Sequence, residues 1–219
     1  MHDGHDHDHG DHGHDERHNP HAPIRDRELT AYEKRAAAIQ ALLVEKGVLT
    51  ADEIRSEVED MDSRTPAQGA RVVARAWADP AYRARLLADA RAAVAELGID
   101  PGSVPLKAVE NTETVHHVVV CTLCSCYPRA VLGLPPDWYK SLNYRARTIA
   151  DPRGVLREFG LELDPTVEVR VLDSTADLRY LVIPPRPPGT ERMTEEDLAR
   201  LVTRDSMIGV ARARNPGAS

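Results

Sequence analysis

The chain has 219 residues, a formal net charge of -7 at pH 7 and 42% hydrophobic residues, so it can bury a sizeable core as one large domain or two small ones. The negative charge disfavours a general nucleic-acid-binding protein, which would show a basic patch. No apolar run is long enough for a membrane span or a signal peptide, so we expect a cytoplasmic protein without membrane contacts.

The first predicted segment, residues 1–28, is a biased tail in which eight histidines alternate with aspartate and glycine. It lacks apolar periodicity and is therefore predicted to be disordered. Two interpretations stay open. The imidazoles could capture a divalent metal weakly and help to deliver it, or the tail could be a solvated segment with adventitious metal affinity.

Residues 29–98 are predicted to form a helical N-terminal arm, because apolar residues recur at spacings of three and four. This arm either embraces a partner subunit or packs within the chain. Four helices are predicted, from Leu29 to Gly47, from Thr50 onward, over 66–77, and from Pro80 to Gly98.

Residues 99–211 are predicted to form an α/β domain, followed by a flexible C-terminus over 212–219, so the predicted fold class is α+β. The region 99–114 has the composition of a loop. Strands and helices are predicted in this order: a strand Val115–Val120, a short helix Asp137–Leu142, a helix Asp151–Gly160, strands at Val167–Val171 and Leu178–Ile183 with the turn Asp173–Asp177 between them, a helix Thr194–Thr203, and a final strand Met207–Val210.

All three cysteines of the protein, Cys121, Cys124 and Cys126, lie directly after the strand that ends at Val120. Three thiolates on so short a loop can face one ion, whereas Cys124 and Cys126 are too close in sequence for an unstrained disulfide. A structural zinc site normally takes four ligands in two separated pairs, and the second pair is missing from this sequence. The spacing therefore predicts a metal site that is not of the structural zinc type.

The backbone nitrogens of Ser125 and Cys126 lie between the thiolates and can bind the ion once deprotonated. Together with the three sulfurs they would form a set of five donors. Amide nitrogen with thiolate suits trivalent cobalt or iron in a tetragonal geometry. A sixth position would stay open for water or substrate, which is typical of a catalytic site.

The run 120–128, Val-Cys-Thr-Leu-Cys-Ser-Cys-Tyr-Pro, resembles the metal-binding signature of nitrile hydratase α subunits. The resemblance covers roughly residues 29–211 and implies a layered α/β domain behind the helical arm. It also implies an enzyme subunit that hydrates nitriles to amides. Further matching stretches are 132–141, 144–147, 151–156 and 201–210.

The resemblance implies a role for each residue of the loop. Cys121 would be the axial thiolate, while Cys124 would be oxidised to the sulfinate and Cys126 to the sulfenate. Cys121, Cys124, Ser125 and Cys126 would be the metal ligands, and Cys124 and Cys126 would also be catalytic. Thr122 resembles the cobalt branch of the family, which makes Co(III) the expected ion ahead of Fe(III).

The resemblance further implies a β subunit, as one chain or two, that supplies arginines to the oxidised cysteines and a general acid or base. It implies a cobalt-inserting activator protein as well. The nucleophile stays open, since a water on the ion or the sulfenate oxygen of Cys126 could attack the nitrile carbon.

Arg129 departs from the family pattern, in which tryptophan is usual at this position. The guanidinium brings charge and hydrogen-bond donors to the expected substrate pocket, so we predict a larger or more polar nitrile. His116 and His117 are interpreted as structural histidines, and Trp138 and Tyr139 as core residues.

Two other functions stay open, namely the metal subunit of a thiocyanate hydrolase-like enzyme and a non-catalytic cobalt-handling protein.

Overall fold

Two parallel two-stranded sheets organise the chain in the computed structural model, which describes residues 28–217. The helices are α1 Ala31–Glu45, α2 Ala51–Ser63, α3 Pro66–Ala78, α4 Pro80–Ala88, α5 Ala90–Glu96, α6 Arg129–Leu132, α7 Asp137–Lys140, α8 Leu142–Ala150, α9 Pro152–Glu158, α10 Glu195–Leu201 and α11 Arg204–Ile208. The strands are β1 Leu106–Glu110, β2 Val115–Val120, β3 Glu168–Asp173 and β4 Arg179–Ile183. Strand β1 pairs with β4, and β2 pairs with β3.

The chain divides into two compact units, the first ending at Ala51 and the second beginning at Asp52. Helix α1 belongs to the first unit and begins with a capping box, in which Thr30 and Glu33 exchange side-chain and backbone hydrogen bonds. The helix has no buried residue, and its apolar side chains face solvent, with Tyr32 81% and Ile39 59% exposed. Its apolar residues therefore remain available to another surface.

The second unit holds the hydrophobic core around α3 and the strands. Helix α3 begins with Pro66 at a position that needs no backbone N–H donor, and it buries Val72 and Val73 completely. Strand β2 buries every residue after Val115, as expected for a parallel strand covered on both faces. The buried strand β2 therefore leads the chain from the core directly into the cysteines.

The predicted α+β class is confirmed, and the predicted strand Val115–Val120 has the bounds of β2. The prediction of a loop over 99–114 is wrong, because β1 lies within it. Residues Leu106 and Ala108 of β1 are buried, whereas Lys107 between them is exposed. This alternation is the signature of a half-buried strand, but it is only five residues long.

The predicted long helix from Pro80 to Gly98 is two helices, because the chain breaks at Asp89. The Asp89 side chain accepts a hydrogen bond from Ala92 N and begins α5 there, in the way that Asp79 begins α4. Helices α6 and α8 also lie in segments for which no helix was predicted. Short helices of this kind carry too little periodicity to be recognised.

The segment Leu178–Ile183 does form a strand, but it does not pair with the strand before it. The turn after Asp173 carries the chain from one parallel pair to the other, so the two strands lie in different sheets. The predicted final strand Met207–Val210 is also wrong. Helix α11 occupies this segment and ends at Gly209, which has a left-handed backbone with φ 86°.

All but the last residue of the predicted disordered tail 1–28 lie outside the described residues, as do Ala218 and Ser219. The predicted domain boundaries at 28, 98 and 211 remain a prediction. Among the helices of residues 28–217, none is both long and apolar enough to cross a membrane.

Gly209 provides a test of how closely α11 packs on β2. Its backbone has a positive φ, and a Cβ there would overlap the carbonyl oxygen of His117. We expect Gly209→Ala to lower the free energy of unfolding by about 3 kcal/mol, the sum of left-handed strain and a backbone clash. Urea unfolding followed by circular dichroism measures this loss.

Gly160→Ala is the matched control, because Gly160 also has a positive φ of 79° but has open space around the position of a Cβ. This substitution should cost only the strain, about 1 kcal/mol. Equal losses in the two variants would show that the contact between Gly209 and β2 has no energetic weight.

Candidate metal centre

The three cysteine sulfurs converge at the end of β2. The Sγ atoms of Cys124 and Cys126 are 3.0 Å apart, and those of Cys121 and Cys124 are 3.4 Å apart. All three lie within 4.8 Å of one another, and none forms a disulfide. One ion with metal–sulfur distances of about 2.3 Å could contact all three.

The three sulfurs differ in exposure and in charge. Cys121 and Cys126 are buried, whereas Cys124 is exposed. Hydrogen bonds from Cys126 and Cys121, and then from the backbone N–H groups of Ser125 and Cys126, lower the pKa of the Cys124 thiol to about 7. Burial raises the pKa of Cys126 to about 12, although the charge of Arg179 acts in the opposite direction. The cluster therefore opens to solvent on the side of Cys124.

Asp173 holds the beginning of the cysteine loop. Its two carboxylate oxygens accept hydrogen bonds from Thr122, one from the backbone N at 2.9 Å and one from Oγ1 at 2.6 Å. Asp173 is the last residue of β3 and lies opposite Val120, the last residue of β2. Because parallel strands end at the same edge of a sheet, this carboxylate meets the loop where it begins.

Three further side chains hold carbonyl groups in and before the loop. The Tyr139 hydroxyl donates to Cys126 O at 2.8 Å, and Arg145 Nη1 donates to Cys124 O at 2.5 Å. The Tyr144 hydroxyl donates to Val119 O at 2.8 Å, one strand residue before the loop. Burial raises the pKa of both tyrosines, so both hydroxyls stay protonated and can donate.

The two tyrosines belong to an aromatic cluster beneath the loop. The Trp138 ring packs edge-on against Tyr144 at 4.9 Å and against Phe159 at 4.8 Å. Tyr139 is completely buried, as expected for the core residue that the sequence predicted. Since α7 carries Trp138 and Tyr139 and α8 carries Tyr144, these short helices serve to support the loop.

His116 and His117 lie outside the sulfur cluster and are tied to Asn111. His116 Nε2 donates to Gly209 O at 2.7 Å, which leaves Nδ1 to accept from the Asn111 amide at 3.1 Å. Burial lowers the pKa of His116, in agreement with a neutral ring. The Asn111 side chain also accepts from the backbone N of His117 at 2.7 Å. Both histidines are thus structural, as interpreted from the sequence.

Arg129 begins α6 and faces a cavity of about 200 Å³ beside the cysteine loop. Among residues 28–217, its guanidinium has no hydrogen-bond or ion-pair partner. The cavity is also lined by Tyr127 and Pro128, which follow the last cysteine directly. The structure thus brings Arg129 close to the loop in space as well as in sequence.

These features define a class of protein. It is an α+β subunit in which a strand delivers three unpaired cysteines to a partly exposed loop, with side chains from other elements fixing the loop. An open side at a soft-ligand metal site is typical of catalysis and not of a structural ion.

The family described as nitrile hydratase, alpha chain, matches residues 30–211. The α subunit of the low-molecular-weight cobalt-containing nitrile hydratase of Rhodococcus rhodochrous is 51% identical over 201 residues, which cover 91% of this chain and 97% of that one. The chain therefore belongs to the nitrile hydratase α-chain family, whose members are subunits of hydratase enzymes.

Two solved structures share the fold. A recombinant thiocyanate hydrolase with partially modified cobalt centres has a TM-score of 0.82 at 41% identity, covering 86% of this chain and 93% of that one. A double mutant of the Fe-type nitrile hydratase from Comamonas testosteroni Ni1 has a TM-score of 0.77 at 40% identity, covering 88% and 95%. The same scaffold thus occurs with two metals and in two kinds of enzyme.

Sequence reasoning found the cysteines but missed the side chains that hold them. Asp173 was interpreted only as a turn residue, and Arg145 was given no role. A carboxylate at the end of a strand whose partner strand leads into the cysteines could have been recognised, had the parallel pairing been predicted. No comparable signal in the sequence marks Arg145.

We predict that Asp173→Ala lowers the metal content of the protein made with its partner subunits. The change removes both acceptors of Thr122, a loss of about 1–2 kcal/mol in holding the loop. Elemental analysis of the purified complex gives the amount of metal per chain, and circular dichroism confirms that the variant is folded.

Asp177→Ala is the control, because Asp177 is an exposed acid in the next turn whose side chain does not contact the cysteine loop. It should retain the metal content of the wild type. If Asp173→Ala retains it equally, Asp173 does not position the loop.

Proposed function

We propose that this chain is the metal-carrying subunit of a cytoplasmic nitrile hydratase, which adds water to a nitrile and releases the amide. The observation that carries the proposal is the convergence of three unpaired cysteine sulfurs within 4.8 Å on a loop whose central cysteine is exposed. Free thiols agree with a reducing compartment.

Low-spin Co(III) is the proposed ion, held by the sulfurs of Cys121, Cys124 and Cys126 and the amide nitrogens of Ser125 and Cys126. In support, hydrogen bonds from the backbone N–H groups of Ser125 and Cys126 lower the pKa of the Cys124 thiol, so both groups lie close to its sulfur. Mixed thiolate and amide donors suit trivalent cobalt better than zinc. When bound, such an ion supplies a Lewis acid that polarises the nitrile.

The cysteines of the loop are proposed to have different roles around the ion. Cys124 and Cys126 are proposed to carry oxygens, as the sulfinate and the sulfenate respectively. Exposure of Cys124 leaves its sulfur open to oxidant, in keeping with the further oxidation proposed for it. Tyr139 holds the carbonyl of Cys126 and Arg145 that of Cys124, so the oxygens would be presented at fixed positions.

A β subunit, as one chain or as two, is the proposed partner, and a cobalt-inserting activator protein would load the metal. The exposed apolar side chains of α1, among them Tyr32 and Ile39, suit burial against another chain. Arginines from that partner would neutralise the oxidised cysteines. The nitrile would be larger or more polar than a short aliphatic one, because Arg129 places a cation beside the loop.

The second candidate is the metal subunit of a thiocyanate hydrolase-like enzyme. Two observations favour it, namely the TM-score of 0.82 to such an enzyme and the arginines beside the loop, which suit an anion. A cobalt-handling protein is a third possibility. It would exchange its metal and keep its thiols unmodified, which separates it from either enzyme.

The first test is the state of the metal centre in the complex purified with its partner subunits. We expect one tightly bound cobalt per chain, together with two added oxygen atoms on Cys124 and one on Cys126, measured by elemental analysis and peptide mass spectrometry. The complex should also convert nitriles to the corresponding amides. Exchangeable cobalt with unmodified cysteines would instead identify a carrier, and activity on thiocyanate alone would identify the second candidate.

The second test concerns Arg129 and the size of the substrate. Wild-type complex should show higher kcat/KM for heteroaromatic nitriles than for short aliphatic ones. Arg129→Trp should reverse this order, since an apolar wall replaces a cation, and the change in the ratio should be on the order of tenfold. A clear preference of the wild type for short aliphatic nitriles would contradict the proposed role of Arg129.

A further inference from the structure

The cavity beside the cysteine loop has an unusual charge. It is lined by three arginines, Arg64, Arg129 and Arg179, and by no carboxylate among the residues that the structure describes. Only Arg64 is neutralised, by Asp60 at 2.5 Å and Asp100 at 3.4 Å. The other two cations have no anionic partner within the described range.

Arg179 is the more informative of the two, because its guanidinium is partly buried. Its Nη1 is inaccessible to solvent and has no hydrogen-bond partner. A buried donor without a partner is costly, so its presence here calls for an acceptor that joins it. Arg179 lines the same cavity as Tyr127 and Pro128, which follow Cys126 directly in the chain.

The fold fixes Arg179 in this position. It is the first residue of β4, where its backbone N donates to Pro105 O at 2.9 Å, and its register partner on β1 is Leu106. Only the short turn 174–178 separates it from Asp173, which holds the cysteine loop. The pairing of β4 with β1 and the short turn after Asp173 therefore both hold Arg179 beside the cysteine loop.

The opposite wall of the cavity is also held in place. Gly102 lies in the loop before β1, where its carbonyl accepts from Arg91 at 2.8 Å and its N donates to Asp100 at 2.9 Å. A Cβ on Gly102 would lie 3.4 Å from the Cβ of Ala130, so this loop packs directly on α6. Hydrogen bonds thus hold the backbone that bounds the cavity. Two of the cations that line it, Arg129 and Arg179, have no anionic partner among the described residues.

We propose that this cavity receives a carboxylate group of the substrate, so that the enzyme acts on nitriles that carry a carboxylate on the far side of a short spacer. The inference rests on the proposed nitrile hydratase function and specifies the class of its substrate. Arg129 and Arg179 bind the carboxylate, while the nitrile lies at the cysteine loop. Water adds across the C≡N bond, and the carboxylate takes no part in bond making or breaking.

The dimensions agree with a ring-sized spacer. Arg129 follows Cys126 by three residues, and three residues span at most about 10 Å. A molecule with a nitrile and a carboxylate on opposite sides of one aromatic ring fits this interval. A planar guanidinium pairs with a carboxylate through two parallel hydrogen bonds, which also orients the ring.

The test compares two substrates of nearly equal shape on the purified holo complex, 4-cyanobenzoate and its neutral analogue 4-cyanobenzamide. We expect kcat/KM to be at least tenfold higher for the anion, in line with one charge-assisted contact. Its KM should rise as sodium chloride is increased, because salt screens the attraction, whereas the KM of the amide should not. Benzoate should inhibit competitively.

Variants then assign the preference to the two arginines. Arg129→Gln and Arg179→Gln should each lower the ratio of kcat/KM for anion over amide about tenfold, chiefly through KM. The control is Arg192→Gln, which removes the same charge from an exposed loop residue that does not line the cavity. That variant should keep the wild-type ratio.

Two failures are distinguishable. If the complex hydrates both nitriles without preferring the anion, or if both variants keep the wild-type ratio, the carboxylate site is wrong and the hydratase function stands. If neither nitrile is hydrated and thiocyanate is consumed instead, the hydratase function is wrong, and the carboxylate proposal is overturned with it.

Discussion

The parallel pairing of β2 with β3 is the constraint on which the metal centre depends. It sets Val120 opposite Asp173, so that the chain turns into the cysteine loop beside a carboxylate that accepts two hydrogen bonds from Thr122. The same pairing decides where β4 can begin, since only a short turn follows Asp173. The β2–β3 register thus sets the Asp173 anchor at the carboxyl end of one sheet, and the short turn 174–178 leads from it to Arg179, the first residue of β4 in the other sheet.

The loop itself separates the roles of three chemically identical side chains. Cys121 and Cys126 face the core, whereas Cys124 faces solvent with a pKa lowered to about 7. This difference arises from the backbone, which the hydroxyl of Tyr139 and the guanidinium of Arg145 hold by its carbonyl groups. The fold thus gives each sulfur its own surroundings, which agrees with the different oxidation states proposed for Cys124 and Cys126.

The sequence predicted the convergence of the three cysteines better than the architecture around them. Cysteine spacing alone was enough for this prediction, since residues so close in sequence come together without knowledge of the fold. Strand β2 was recognised by its apolar run, but β1 and the pairing of the strands were not, because pairing depends on residues far apart in the chain. The anchor Asp173 was missed for that reason, whereas no signal in the sequence marks Arg145. At Gly209 the apolar run suggested a strand, whereas the glycine ends a helix.

The separation between donors and anchors has a practical consequence for protein design. Residues 121–126 contain every atom proposed to bind the ion, yet the hydrogen bonds that shape them come from Asp173, Tyr139 and Arg145, which are distant in sequence. A peptide with this sequence, or the same six residues grafted onto a foreign scaffold, would carry the donors without their restraints. Transplanting the centre requires moving the strand pair and the two short helices as one piece.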